Sequence, residues 1–197
     1  AGCDVFQMFS RNPRGWGYQP VDPSVAEAFR SKVRTTGILP VDHMPYLPNL
    51  ASPKPDIYEK SVATLTAELD RCEILGIPYL VTHLGHHLGD GMAGGRSRVI
   101  HAINTALANT GGSTMLLLEN TAGEKNSVGS SFEHIRGIMD GIDRKARVGI
   151  CFDTCHAFAA GYELRTEEGI TETLGQLDEA FGLDNLQLIH LNDTKGD

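Results

Sequence analysis

Six apolar segments of strand length recur along the 197 residues at near-even spacing, and segments of helical periodicity fill the gaps between them. The strand-like runs are "CDVFQMF" (3–9), "ILPVDH" (38–43), "YLVTHL" (79–84), "TMLLLEN" (114–120), "RVGICFD" (147–153) and "LQLIHLND" (186–193). Most are apolar without alternation, the pattern of strands covered on both faces. Between them Val62, Leu65, Leu69 and Cys72 recur at helical spacing, as do Ile170, Leu174, Leu177 and Phe181. Asp22-Pro23 supplies one helix start. Ser130 with Glu133 forms a capping box for a helix over 131–140 that stops at Gly141. Strict alternation of this kind means βα units and a parallel sheet. Six strands and five helices fit either a doubly wound sheet or most of a (β/α)8 barrel, and a complete barrel takes about 250 residues. The spacing predicts an α/β fold: a single TIM-barrel domain over 1–197, incomplete at about six of eight units, lacking one strand at the start and one at the end.

Composition narrows the class. Hydrophobic content of 41% and charged content of 21% describe a soluble globular chain. The longest apolar runs, about six residues, are far short of the roughly 20 a membrane span needs, and no signal-peptide pattern opens the chain. Four cysteines (Cys3, Cys72, Cys151, Cys155) are too few for a disulfide scaffold; they read as buried reduced thiols in a cytoplasmic protein. The net charge of -8 argues against broad, nonspecific binding to nucleic acid. It is unevenly spread: seven Lys/Arg face six Asp/Glu over residues 1–60, and ten face nineteen thereafter. Bound divalent cations would offset part of that excess.

The strand ends carry the chemistry. After Ser10 and Asn12 on the first strand come His43, His83, Glu119, Asp153 with His156, and His190 with Asp193, the five leading ligand types falling at intervals of 40, 36, 34 and 37 residues. In barrels and open α/β sheets, strand C-terminal ends converge on one rim. A lone histidine at a strand end is more often a hydrogen-bonded core residue, but five potential ligands in register are not explained that way. Imidazoles and carboxylates without thiolates suit zinc, manganese or iron. The set exceeds one tetrahedral site, and Glu119, central in chain order, is placed to bridge two ions. Paired divalent ions about 3.5–4 Å apart serve phosphodiester hydrolysis. Cys151 and Cys155 straddle Asp153 and read as facing the core, with ligation by Cys155 the lesser reading. His86 and His87 read as rim residues, His101 and His134 as solvated helix positions. "GDGMAGG" (89–95) lacks a phosphate-binding lysine and reads as a loop.

Six motifs then carry a family resemblance over essentially the whole chain: "FSRNPRGW" (9–16), "HMPYLPNLASP" (43–53), "THLGHHLGDG" (82–91), "LENTAGEKNSVG" (118–129), "GICFDTCHAFAAGYELRT" (149–166) and "HLNDTKGD" (190–197). The sequence resembles the endonuclease IV family, zinc-dependent apurinic/apyrimidinic endonucleases with a xylose-isomerase-like TIM barrel. The resemblance implies a monomeric DNA-repair enzyme that acts on double-stranded DNA containing abasic sites. It would cut 5′ to the lesion, giving a 3′-hydroxyl and a 5′-deoxyribose phosphate. Three Zn2+ are implied, with Mn2+ the alternative ion at one or more sites. His43 and His83 would hold the first, Glu119 would bridge it to the second, Asp153 and His190 would complete the second, and His156 would hold the third. Glu119 with a metal-bound hydroxide would then be the catalytic element. Asn12, Arg14, Tyr46 and Leu47 would contact DNA, the apolar and planar side chains wedging into the minor groove. Two positions depart from the family pattern, His86 and Pro48. The family's Asp-Arg-His segment and a later Glu would follow Asp197, so the 197 residues are expected to hold fewer than three zincs. The rivals are a xylose-isomerase-like sugar isomerase, against which "NPRGW" and "YLPNL" speak, and an inactive damage-binding fragment.

Overall fold

The computed structural model describes residues 2–194, so the last three residues of the "HLNDTKGD" motif lie outside the described residues. The strands are β1 (Val5–Met8), β2 (Leu39–His43), β3 (Tyr79–Thr82), β4 (Met115–Glu119), β5 (Val148–Asp153) and β6 (Leu186–His190). They form one sheet in the order β1-β2-β3-β4-β5-β6, and every neighbouring pair is parallel. The crossovers carry α1 (Pro23–Thr36), α2 (Pro55–Leu75), α3 (Met92–Asn109) and α4 (Phe132–Asp140), with α5 (Thr154–Ala159) and α6 (Glu167–Phe181) both between β5 and β6. The fold is a TIM-type half-barrel. No helix among the described residues is long and apolar enough to cross a membrane.

Period-two alternation divides each strand between two environments. Outward residues such as Leu80, Leu116, Leu118 and Ile150 join Leu65, Leu69, Ile103 and Ile135 of the helices in the main core. Inward residues Val41, Val81, Leu117 and Cys151 form a second, smaller cluster with Tyr79, Met115 and Leu188. The ladder register pairs His43 with Val81, Glu119 with Cys151, and Asp153 with His190. The residues two positions beyond the inner apolar layer therefore point inward as well, at the C-terminal mouth. Curvature brings the sheet edges together: Gln7 Oε1 on β1 lies 2.7 Å from His190 Nε2 on β6.

Several local expectations need correction. Cys3 lies before β1 and is exposed, because the first strand starts only at Val5; all four cysteines are free thiols. The cap of α4 is Ser131, whose hydroxyl accepts from His134 N at 3.2 Å, since Phe132 must open the helix to bury its ring against Tyr162 and Phe181. Ile170 and Leu174 are exposed on α6, where only Leu177 and Phe181 of that periodic set are buried. The glycine-rich stretch is only half loop: Met92 begins α3, and a Cβ at Gly95 would meet His87 Cβ at 2.8 Å. His134 is partly buried, whereas His101 is exposed on α3 as expected and bonds the Tyr58 hydroxyl.

Candidate metal centre

Glu119 ends β4 inside the mouth and is 2% exposed. Four imidazoles surround its carboxylate. Oε2 lies 3.2 Å from His43 Nε2 and 3.5 Å from His83 Nε2; Oε1 lies 3.0 Å from His190 Nδ1 and 3.5 Å from His156 Nδ1. Asp153 Oδ2 lies 3.6 Å from His190 Nδ1. Two ligand atoms bound to one tetrahedral zinc at about 2.0–2.1 Å stand about 3.3 Å apart. The His43–Glu119–His83 spacings match that edge length.

The hydrogen bonds behind the rings decide which nitrogens are available. His43 Nδ1 lies 2.7 Å from the Met44 carbonyl, which can only accept, so Nδ1 keeps its proton and Nε2 faces Glu119. In the neutral ring that contact sets lone pair against lone pair, and a shared cation satisfies both. Such carbonyl-anchored imidazoles are the usual setting of metal-ligating histidines. His156 Nδ1 lies 2.9 Å from the Asn120 carbonyl, which leaves Nε2 as its free nitrogen. Three groups among the described residues are compact enough to hold an ion: His43, His83 and Glu119; Glu119, Asp153 and His156; and Glu119, Cys151 and His190. The donor set fits divalent zinc-like ions.

The electrostatics of the centre follow from this crowding. Burial pushes the Glu119 carboxyl up, but the surrounding imidazoles of His190, His43 and His83 outweigh it and hold the group far below the usual carboxylate range. Burial likewise opposes ionisation of Asp153, and contacts from His190 and the His156 amide prevail. Burial pulls His190 down, yet Asp153, Cys151 and Glu119 push it up to about 12. His83 is lowered, by burial foremost. Negative charge concentrated among imidazoles attracts a cation.

The side chains expected at the strand ends thus gather around Glu119 at the C-terminal mouth: His43, His83, Glu119, Asp153, His156 and His190. His156 arrives from the first turn of α5, which Asp153 caps by accepting from His156 N at 2.8 Å. Asp193 is exposed. His87 has a structural task, its Nδ1 accepting from Gly89 N and Gly91 N. Sequence reading missed three positions. Asn120 clamps β4 to β5, its Oδ1 accepting from Asp153 N at 2.7 Å and its Nδ2 donating to Asp153 O at 3.0 Å. Asn192 donates to Asp153 Oδ2 at 2.6 Å. Cys151 faces the barrel interior beneath Glu119, not the helix-side core, and burial pushes its thiol up to about 11. A carboxamide directly after a ligand-type residue was the available signal for Asn120.

Two loops flank the mouth. Arg14 is exposed, and Asn12 shapes its turn, Oδ1 accepting from Arg14 N at 3.0 Å. Tyr46 N donates to Pro13 O at 3.0 Å, tying this loop to the one after β2. Tyr46 is 60% exposed although its ring packs on Phe9 and His43, and Leu47 is 39% exposed.

Comparisons with known proteins agree with the geometry. The family model described as "Xylose isomerase-like TIM barrel" matches residues 1–197. A protein named probable endonuclease 4 from Methanoculleus marisnigri is 64% identical over 199 residues, covering 100% of this chain and 71% of its own length. One of the same name from Methanocorpusculum labreanum is 56% identical over 198 residues, covering 100% and 70%. The crystal structure of endonuclease IV from Thermus thermophilus superposes with a TM-score of 0.86 at 35% identity, covering 99% of this chain and 68% of that one. A half-barrel whose rim gathers four imidazoles and two carboxylates, matched over its full length by such relatives, belongs to the endonuclease IV family of xylose isomerase-like TIM barrels.

Proposed function

We propose that this AP endonuclease hydrolyses the phosphodiester 5′ to an abasic site in double-stranded DNA, with zinc as its metal, leaving a 3′-hydroxyl and a 5′-deoxyribose phosphate. The observation that carries the metal-dependent reading is Glu119, a buried carboxylate held between four imidazoles at ligand-to-ligand spacing. His43, His83 and Glu119 would hold one ion, Glu119, Asp153 and His190 a second, and His156 Nε2 would serve a third. Bound there, divalent ions supply a nucleophile from water at neutral pH and stabilise charge on the phosphate oxygens.

The remaining work falls to the chain itself. Glu119 fixes the spacing of both ligand sets, and Asn120 fixes Asp153 and His156 relative to it. Arg14 would meet the phosphate backbone while Tyr46 and Leu47 wedge between base steps. An abasic sugar has lost pairing and stacking, so turning it into the mouth costs less than extruding an intact nucleotide. The same reading takes the protein as a cytoplasmic monomer, which the buried free thiols Cys72 and Cys151 suit.

Glu119→Gln tests the centre directly. Bound zinc per chain should fall and cleavage of an abasic duplex should disappear, while circular dichroism stays that of the folded protein. Normal turnover in that variant removes Glu119 from the mechanism. Turnover of an aldose in place of abasic DNA by the unaltered protein would favour the isomerase instead.

A further inference from the structure

His190 makes two contacts through opposite nitrogens. Nδ1 faces Glu119 Oε1 at 3.0 Å and Asp153 Oδ2 at 3.6 Å. Nε2 lies 2.7 Å from Oε1 of Gln7, a residue 183 positions earlier in the chain. Gln7 stands on the inner face of β1, in register with Val41. Its neighbours in the inner layer are apolar (Val41, Val81, Leu117, Leu188), so a carboxamide at this level stands out. What it offers is a carbonyl-type oxygen on the nitrogen of His190 that points away from the carboxylates.

An imidazole can give a lone pair to a cation at one nitrogen only if the proton stays on the other. The Gln7 oxygen accepts, so it keeps the proton on Nε2 and leaves Nδ1 for an ion between Glu119 and Asp153. Met44 O does the same for His43 and Asn120 O for His156, each from the backbone. For His190 the acceptor is a side chain, and it comes from the opposite edge of the sheet. We propose that Gln7 is a positioning residue of the metal centre: it fixes the His190 tautomer and ring orientation that present Nδ1 to the cation. The proposal rests on the reading of Glu119, Asp153 and His190 as ligands.

The test compares Gln7→Leu and Gln7→Glu with the unaltered protein, using zinc alone as probe. Outer-shell partners of this kind are worth roughly 10–100-fold in metal affinity. Competition against a chromophoric chelator should show the weaker bound zinc of Gln7→Leu released at about 10–100-fold higher free zinc, with the His43–His83–Glu119 ion retained. Activity on abasic DNA should return as zinc is raised, a response that loss of fold would not give. Gln7→Glu keeps an acceptor and should bind zinc at least as tightly as the unaltered protein. In zinc-loaded protein, nitrogen-15 spectra should show His190 protonated at Nε2 and metal-shifted at Nδ1. That Nε2 proton should exchange slowly in the unaltered protein and in Gln7→Glu, and fast in Gln7→Leu.

Equal zinc affinity in all three proteins, or metal on His190 Nε2, overturns the proposal while leaving the metal centre intact. If Gln7→Leu fails to fold, the spectra of the unaltered protein and of Gln7→Glu still decide. Failure of the unaltered protein to bind zinc overturns the metal-centre reading itself, and this proposal with it.

Discussion

Arg71 on α2 closes the loop that carries Asn12 and Arg14. Its NH1 donates to Gln19 O at 2.9 Å, its NH2 to Ser10 O, and its Nε to the Ser10 hydroxyl at 3.1 Å. The two ends of a ten-residue loop, 10–19, are thereby held by one guanidinium. Behind it Glu68 is fully buried, accepts from the Ser10 hydroxyl at 3.0 Å and pairs with Arg11 Nε at 3.3 Å; Arg71 Nε stands 3.9 Å off. Removing one partner from such a buried charge cluster typically costs about 3–5 kcal/mol, because the other charge stays desolvated. Arg71→Met keeps most of the volume, so cavity formation adds little. At about 2–4 °C per kcal/mol for a chain of this size, the melting temperature should fall by about 10 °C. Burial, then the neighbouring Asp42, already raise the Glu68 carboxyl above its usual range. Its contribution is therefore fully present below the unfolded value of about 4.3 and is lost as pH rises through the higher folded value. Arg71→Met should raise that folded value further, so the double variant Glu68→Gln/Arg71→Met should be less damaged than the sum of its parts. Urea denaturation of the four proteins at several pH values measures the coupling. Strict additivity, or a loss below about 1 kcal/mol for Arg71→Met, would refute the clasp.

Three further outcomes follow from other parts of the structure. In metal-stripped protein, Glu119 and Asp153 sit below their usual carboxylate values, so they contribute stability above an unfolded pKa of about 4 that is lost as pH falls through the folded values. Acid titration followed by circular dichroism should show Glu119→Gln flatter than the unaltered protein; an identical acid limb would contradict the assignment. Gly85 has φ +89°, and a Cβ there would collide with Asn49 Oδ1, the atom that accepts from His86 N and Ala51 N. Gly85→Ala should therefore cost about 1–3 kcal/mol and disturb the loops after β2 and β3 together, which thermal melts and zinc content would register. Arg14→Ala and Leu47→Ala should each weaken binding to an abasic duplex at unchanged zinc content; unaltered affinity in both would remove these loops from recognition.

Much of the fold was legible because local rules and tertiary placement coincide. Apolar runs separated by helical periodicity allow few arrangements other than parallel strands with external helices, and ladder geometry then puts His43, Glu119, Asp153 and His190 at one rim. Their residue types pointed to metal without any coordinates. Other features depend on distances that no local pattern encodes. That Gln7 meets His190 follows from sheet curvature, which brings the two edge strands together. That Asn120 fixes Asp153 and His156 follows from the stagger between β4 and β5. The cap of α4 and the helical half of the glycine-rich stretch were decided by packing, through Phe132 on Tyr162 and Gly95 on His87. Sequence spacing thus determined which side chains reach the mouth, since strand period and βα order are local properties. Only the tertiary structure decided which nitrogen His156 and His190 turn toward the centre, because that is set by acceptors arriving from other strands, Asn120 O and Gln7 Oε1.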